Sequence, residues 1–102
     1  MIAKKFLKSK PVCKATFSLP AEAVQGAKKV VLVGDFNDWD TATGIKMKKQ
    51  KNVFKTTVEL ETGKEYEFRY LLDGETWEND WAADKYVATP FGVENSVVST
   101  LN

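Results

Sequence analysis

Between Glu65 and Leu72 the chain changes polarity at almost every step. Tyr66, Phe68, Tyr70 and Leu72 fall on one side, and Glu65, Glu67, Arg69 and Leu71 on the other. Side chains of an extended strand alternate between two faces, so this pattern specifies a strand with one face in a core. The same period recurs in Val12–Leu19, where Cys13, Ala15, Phe17 and Leu19 alternate with Lys14, Thr16 and Ser18. It returns in Val53–Leu60, with Phe54, Val58 and Leu60 opposed to Lys55, Thr57 and Glu59. Lys29–Val33 is a continuous β-branched run and reads as a central strand.

Shorter strands are expected at Ile45–Lys48, Thr76–Glu78 and Asn95–Leu101, with turns at Lys49–Asn52, Glu61–Lys64 and Asp73–Gly74. Asp35–Gly44 reads as a polar loop and Asn79–Gly92 as a long irregular stretch. Ala21–Gln25 has room for one helical turn. About seven or eight short strands at turn spacings of roughly 8–12 residues predict an all-β antiparallel sandwich. The domain is expected over residues 11–102, with residues 1–10 as a flexible basic tail.

Length and composition narrow the chemistry. At 102 residues the chain forms one domain, and a (β/α)₈ barrel needs about 250. There is no histidine, which excludes Ser-His-Asp and Cys-His catalysis and His-ligated metals. Cys13 is the only cysteine, so neither an internal disulfide nor a thiolate metal cluster can form. A lone cysteine fits a reducing compartment, and a cytoplasmic location is expected. No apolar run approaches the roughly 20 residues of a membrane-spanning helix, and the N-terminus lacks the apolar core of a secretion signal.

Charge is unevenly spread. Residues 1–55 carry +8 and residues 56–102 carry −7, although the net charge is +1. In a sandwich the two halves interleave, so these charges are expected to mix. Fourteen of fifteen basic residues are lysine, whereas base reading favours arginine forks, so no nucleic-acid partner is expected.

The aromatic residues divide by context. Phe17, Phe54, Tyr66, Phe68 and Tyr70 lie on apolar strand faces and read as core. The tryptophans do not. Trp39 lies in Gly34-Asp35-Phe36-Asn37-Asp38-Trp39-Asp40, Trp77 follows the Asp73-Gly74 turn, and Trp81 lies between Asp80 and Ala82. Burying any of them would draw polar neighbours out of water. Exposing two together makes a flat apolar patch rimmed by hydrogen-bonding groups, a design that matches the C–H face and hydroxyl rim of a sugar. The alternative is a tryptophan that plugs the end of the sandwich.

These segments resemble a known family. Val30–Trp39, Tyr66–Gly74, Trp77, Asn79-Asp80 and Phe91–Val98 are similar, in order, to the glycogen-binding module of carbohydrate-binding family 48. That family includes early-set domains of isoamylase and glycogen-branching enzymes and the β-subunit module of AMP-activated protein kinase. The resemblance covers about residues 12–100 and implies an immunoglobulin-like sandwich that binds α-1,4-linked glucose chains. It implies ring stacking for Trp39 and Trp77, although the turn before Trp77 is one residue longer than in the kinase module. Arg69 stands where that module has a lysine that bonds sugar hydroxyls, and Asn95 matches an asparagine with the same role. Phe91 replaces a leucine that reaches into the curve of the glucan, and Val93 replaces a threonine, losing one polar contact. Alternation alone places Arg69 outward, where a cross-strand ion pair with Glu67 is its other reading.

No catalysis is expected. A glycosidase needs two carboxylates about 5–9.5 Å apart in a cleft, and a sandwich this small presents a platform. Asp35, Asp38, Asp40, Asp80 and Asp84 read as turn formers bonding nearby backbone. Asp35-x-Asn37 opens like a calcium loop, but Trp39 occupies the next ligand position, so no metal or cofactor is expected. Lys46, Lys48, Lys49 and Lys51 read as a solvated edge. The expected partner is an α-glucan polymer or oligosaccharide, with glycogen-metabolising enzymes as further partners. The competing class is a structural or protein-interaction module of the same shape, without sugar binding.

Overall fold

A computed structural model describes residues 2–24 and 26–101. Ten strands form two antiparallel sheets packed face to face. They are β1 (Ile2–Phe6), β2 (Val12–Pro20), β3 (Val30–Gly34), β4 (Ile45–Lys46), β5 (Lys48–Gln50), β6 (Val53–Glu61), β7 (Glu65–Leu72), β8 (Thr76–Glu78), β9 (Lys85–Ala88) and β10 (Glu94–Ser99). One sheet has the order β1-β2-β6-β5. The other has the order β4-β3-β7-β10-β9, with β8 also paired to β7. Among the described residues no helix is long and apolar enough to cross a membrane.

The core is built by the alternating faces. Phe17, Leu19, Leu32, Phe68, Tyr70 and Val98 are fully buried between the sheets. Phe17 and Phe68 meet edge to face with ring centroids 5.1 Å apart, and Phe68 meets Tyr70 at 5.7 Å. Each such side chain contributes about 1.5–3 kcal/mol by leaving water, plus the geometric preference of T-shaped rings.

Four expectations change. The flexible tail expected over residues 1–10 contains a strand: Ile2–Phe6 pairs along β2 in five register steps, from Ile2 opposite Phe17 to Phe6 opposite Cys13. The basic composition obscured a period-two stripe, because Ile2, Lys4 and Phe6 share the core-facing side. Lys4 is tolerated there because its ammonium lies 2.6 Å from the Asp84 carboxylate, and Asp84 also accepts from the Ser99 N–H at 2.7 Å. This inward charge ties the two sheets together and blunts an exposed edge.

Ile45–Lys48 is not one strand but a crossing. Ile45 and Lys46 pair with β3, whereas Lys48–Gln50 pairs with β6 in the opposite sheet. Met47 at the changeover is buried and donates its N–H to the Val30 carbonyl. The stretch 79–92 contains a further strand, β9, on the outer edge of β10. Ala21–Val24 forms a single 3₁₀ turn, as the sequence suggested, while Gln25 lies outside the described residues.

The charges mix only in part. The four-stranded sheet carries Lys4, Lys5, Lys14, Lys48, Lys49 and Lys55 against Glu59 and Glu61. The other sheet carries Lys46, Arg69 and Lys85 against Glu65, Glu67, Glu78 and Glu94. Most of the amino-terminal strands fall in one sheet, so the sequence asymmetry survives as a difference between faces.

Candidate functional site

The outer face of the six-stranded sheet carries two of the three tryptophans that the sequence singled out, Trp39 and Trp77. Its base is set by β3 and β7, which pair with Val33 opposite Arg69 and Val31 opposite Leu71. Val31, Val33 and Leu71 face outward but are buried, because the Trp39 side chain covers them.

A loop fixed at several points brings Trp39 to this position. Gly34 ends β3 where a Cβ would lie 2.5 Å from the Glu67 carbonyl oxygen and 2.7 Å from the Phe68 Cβ. Only glycine allows the strands to approach so closely. The Gly34 N–H donates to the Asn37 side-chain oxygen at 2.9 Å, and the Asn37 amide donates to the Asp40 carbonyl at 3.0 Å. Asp38 and Trp39 then adopt successive left-handed conformations, with φ of 58° and 57°. Such residues cost about 1–2 kcal/mol each and persist only where the surroundings hold them.

The holding group is Asp35. One carboxylate oxygen accepts from the Trp39 indole N–H at 2.8 Å, and the other accepts from the Glu67 backbone N–H at 2.7 Å. A single side chain thereby ties the indole to β7. Charge-assisted bonds of this kind are shorter and stronger than neutral ones.

Trp77 arrives by a separate route. Asp73 and Gly74 are both left-handed, which turns the chain back on itself, and Trp77 pairs opposite Leu71. The Asp73 carboxylate accepts from the Lys28 and Lys29 N–H groups at 3.0 and 2.9 Å, fixing the turn to the start of β3. The two indoles stand with centroids 6.4 Å apart and planes inclined by 57°. Trp77 is 39% exposed and Trp39 is half-buried.

Arg69 points outward between them. Its guanidinium carbon lies 4.8 Å from the Trp77 ring centroid and 6.0 Å from that of Trp39. Both lie within the roughly 6 Å over which a cation is attracted to an aromatic face. The Glu67 carboxylate instead accepts from the Asn95 amide at 3.0 Å. Among the described residues, the buried Arg69 Nε and Asn95 Oδ1 have no hydrogen-bond partner. Buried groups of this kind are rare, because each gives up its hydration without replacement.

The structure thus brings Trp39, Trp77 and Arg69 into direct contact and sets Asn95 on the strand next to Arg69. It does not bring Phe91 to them. Phe91 sits in the β9–β10 turn, 88% exposed, and makes no ring contact among the described residues. Trp81 is 54% exposed and likewise shares no ring contact with the pair.

Sequence reasoning missed two supporting carboxylates by reading all the aspartates as local turn formers. Asp40 and Asp80 do cap nearby N–H groups, of Ala42 and Ala82. Asp80, however, is buried at 1% exposure and also accepts from the Tyr70 hydroxyl at 2.6 Å. Its backbone N–H donates to the Ser96 hydroxyl, and its carbonyl accepts from the Tyr86 hydroxyl. Burial, reinforced by the Asp80 charge, pushes the Tyr70 hydroxyl far above its usual range, so it remains a donor. This network anchors the segment after Trp77 onto β10. The Asp35-to-Trp39 spacing was the available signal for the other missed role. Among the described residues no group of three or more His, Cys, Asp or Glu side chains could hold a metal ion.

No curated protein matches the chain. A family model described as the glycogen recognition site of AMP-activated protein kinase matches residues 22–100. That span contains Trp39, Arg69, Trp77, Phe91 and Asn95 and all strands from β3 onward. The chain belongs to this glycogen-recognition family of carbohydrate-binding domains.

Proposed function

We propose that the chain holds α-1,4-linked glucan without acting on it, by stacking glucose rings on Trp39 and Trp77. The observation that carries this reading is the indole pair, 6.4 Å apart and tilted by 57° on a fixed sheet face. A glucose ring offers an apolar C–H face and a polar rim, which suits an aromatic platform flanked by hydrogen-bonding groups. An α-1,4-linked chain curves, so successive rings turn relative to one another, and inclined platforms follow such a ligand better than coplanar ones.

Arg69 and Asn95 serve the hydroxyl rim. Arg69 is half-buried beside the indoles and its guanidinium is a multiple N–H donor, Asn95 is an amide on the next strand, and a sugar hydroxyl both donates and accepts. Phe91 serves longer chains as an outlying apolar contact, since it stands free in solvent. An open platform of this size binds one oligosaccharide weakly, on the order of 10 µM to 1 mM, because ordering the sugar and desolvating its hydroxyls offset much of the stacking gain. Tight retention on a branched polymer needs several copies engaged together. Enzymes of glycogen metabolism in the cytoplasm are the partners this role implies.

Migration through a native gel containing glycogen tests the proposal. The native protein is expected to be retarded and Trp39→Ala to run as in a sugar-free gel. Equal migration of the two would contradict the site. A maltoheptaose titration without any change in tryptophan fluorescence at millimolar sugar would favour a protein-interaction role instead.

A further inference from the structure

The outward rows that carry the indoles continue past them. On β3 the outward positions Val33 and Val31 lead back to Lys29 just before the strand, and on β7 Arg69 and Leu71 lead to Asp73 in the turn that follows. Val31 and Leu71, on which Trp39 rests, also floor a recess of about 270 Å³. Its remaining walls are Lys29, Thr41, Asp73 and Gly74. Small-molecule pockets usually begin near 300 Å³, so this one has room for a single ring-sized group.

The lining is mixed in a specific way. The lining combines two aliphatic residues, Val31 and Leu71, with residues that carry an ammonium, a hydroxyl and a carboxylate, Lys29, Thr41 and Asp73. The carboxylate is held in place by the Lys28 and Lys29 N–H groups. The Lys29 ammonium and the Thr41 hydroxyl make no hydrogen bond or ion pair among the described residues. A purely apolar ligand would leave this rim unpaired, and an anion would meet Asp73. A pyranose ring fits both parts, with C–H groups on Val31 and Leu71 and hydroxyls toward Lys29, Thr41 and Asp73. From Arg69 to the end of β7 at Leu72 the strand advances three residues, about 10 Å, which exceeds a single ring and suits a chain laid along β7.

We infer that this recess is a further subsite for a glucose residue, taking the unit beyond those stacked on Trp39 and Trp77. The inference rests on the glucan reading of the indole pair. Neither Lys29 nor Thr41 supports the core, since both side chains are exposed, so their replacement leaves the fold and the indole pair in place.

The test is calorimetric titration of the whole chain with maltotriose and with maltoheptaose, for the native protein and for the double variant Lys29→Met, Thr41→Val. The native protein is expected to prefer maltoheptaose. The variant is expected to bind maltoheptaose about three- to tenfold more weakly, the effect of one or two lost hydrogen bonds, and to bind maltotriose unchanged. Unchanged maltoheptaose binding by the variant would overturn the subsite while leaving the indole site standing. Equal weakening for both sugars would overturn it too, by placing these residues under every ligand. Failure of the native protein to bind either sugar would overturn the indole reading itself, and the subsite with it.

Discussion

The loop that carries Trp39 and the turn that carries Phe91 are both exposed connections on the same sheet, yet they are built differently. The Trp39 loop is fixed to a neighbouring strand by one oxygen of Asp35 and the close approach of Gly34 to β7, and braced within itself by the other Asp35 oxygen on the indole N–H and by the Gly34–Asn37 bond. The Phe91 turn is held only by its own residues. Thr89 receives the Gly92 N–H and gives its N–H and hydroxyl to the Val93 carbonyl. The first presents its ring already ordered against Val31, Val33 and Leu71, and the second leaves its ring in water. A pre-ordered ring costs little to use, whereas a free ring must be immobilised on contact. Binding strength is therefore expected to reside in the first region and length preference at the margins.

The largest contrast is expected from alanine at each region's glycine. Gly34→Ala puts a Cβ into the Glu67 backbone, which cannot yield without separating β3 from β7. A loss of about 3 kcal/mol in urea unfolding is expected, with sugar binding abolished. Gly92→Ala meets nothing within 4 Å and is strained only by its φ of +79°, so about 1 kcal/mol is expected, with binding retained. Equal costs at the two sites would remove the basis of the comparison.

Asp35→Asn tests the clamp. One oxygen becomes a donor facing a donor, so either the Trp39 indole N–H or the Glu67 N–H loses its acceptor. About 1–2 kcal/mol of stability is expected to go, together with a severalfold weakening for maltoheptaose. Unaltered binding would mean that Trp39 does not need its tether. Tyr70→Phe removes the donor to the buried Asp80 carboxylate and is expected to cost about 1–3 kcal/mol, measured by thermal unfolding.

That tyrosine also sets an alkaline limit. Its folded pKa is raised, so the stability it contributes is complete below its ordinary value of 10.0 and is lost as pH climbs above it. The Tyr70→Phe variant should therefore lose less stability than the native chain between about pH 10 and pH 11. The smallest effect belongs to Phe91→Ala. Stability is expected to stay within about 0.5 kcal/mol, and only longer oligosaccharides should bind more weakly.

The sandwich was legible because its central strands alternate so regularly. Phe17, Phe68 and Tyr70 reveal both period and face without any partner being known. Short or edge elements were harder to read. Ile2 and Phe6 mark β1, but three lysines within the first eight residues hid it, and its inward Lys4 makes sense only beside Asp84, eighty positions away. The sheet change at Met47 has no local signature, because both strands use the same alternation. Within the site, the exposure of Trp77 followed from its polar neighbours, whereas Trp39, with neighbours just as polar, is half-buried against Val31, Val33 and Leu71. The bidentate use of Asp35 did not follow, since its second partner, the Glu67 N–H, comes from a strand thirty-two residues on.

The most direct test observes the three indole N–H resonances of the native protein during a maltoheptaose titration. The Trp39 and Trp77 signals are expected to move together with one midpoint between about 10 µM and 1 mM, while the Trp81 signal stays still. Movement confined to Trp81, or no movement of either paired indole at several millimolar sugar, would contradict the account.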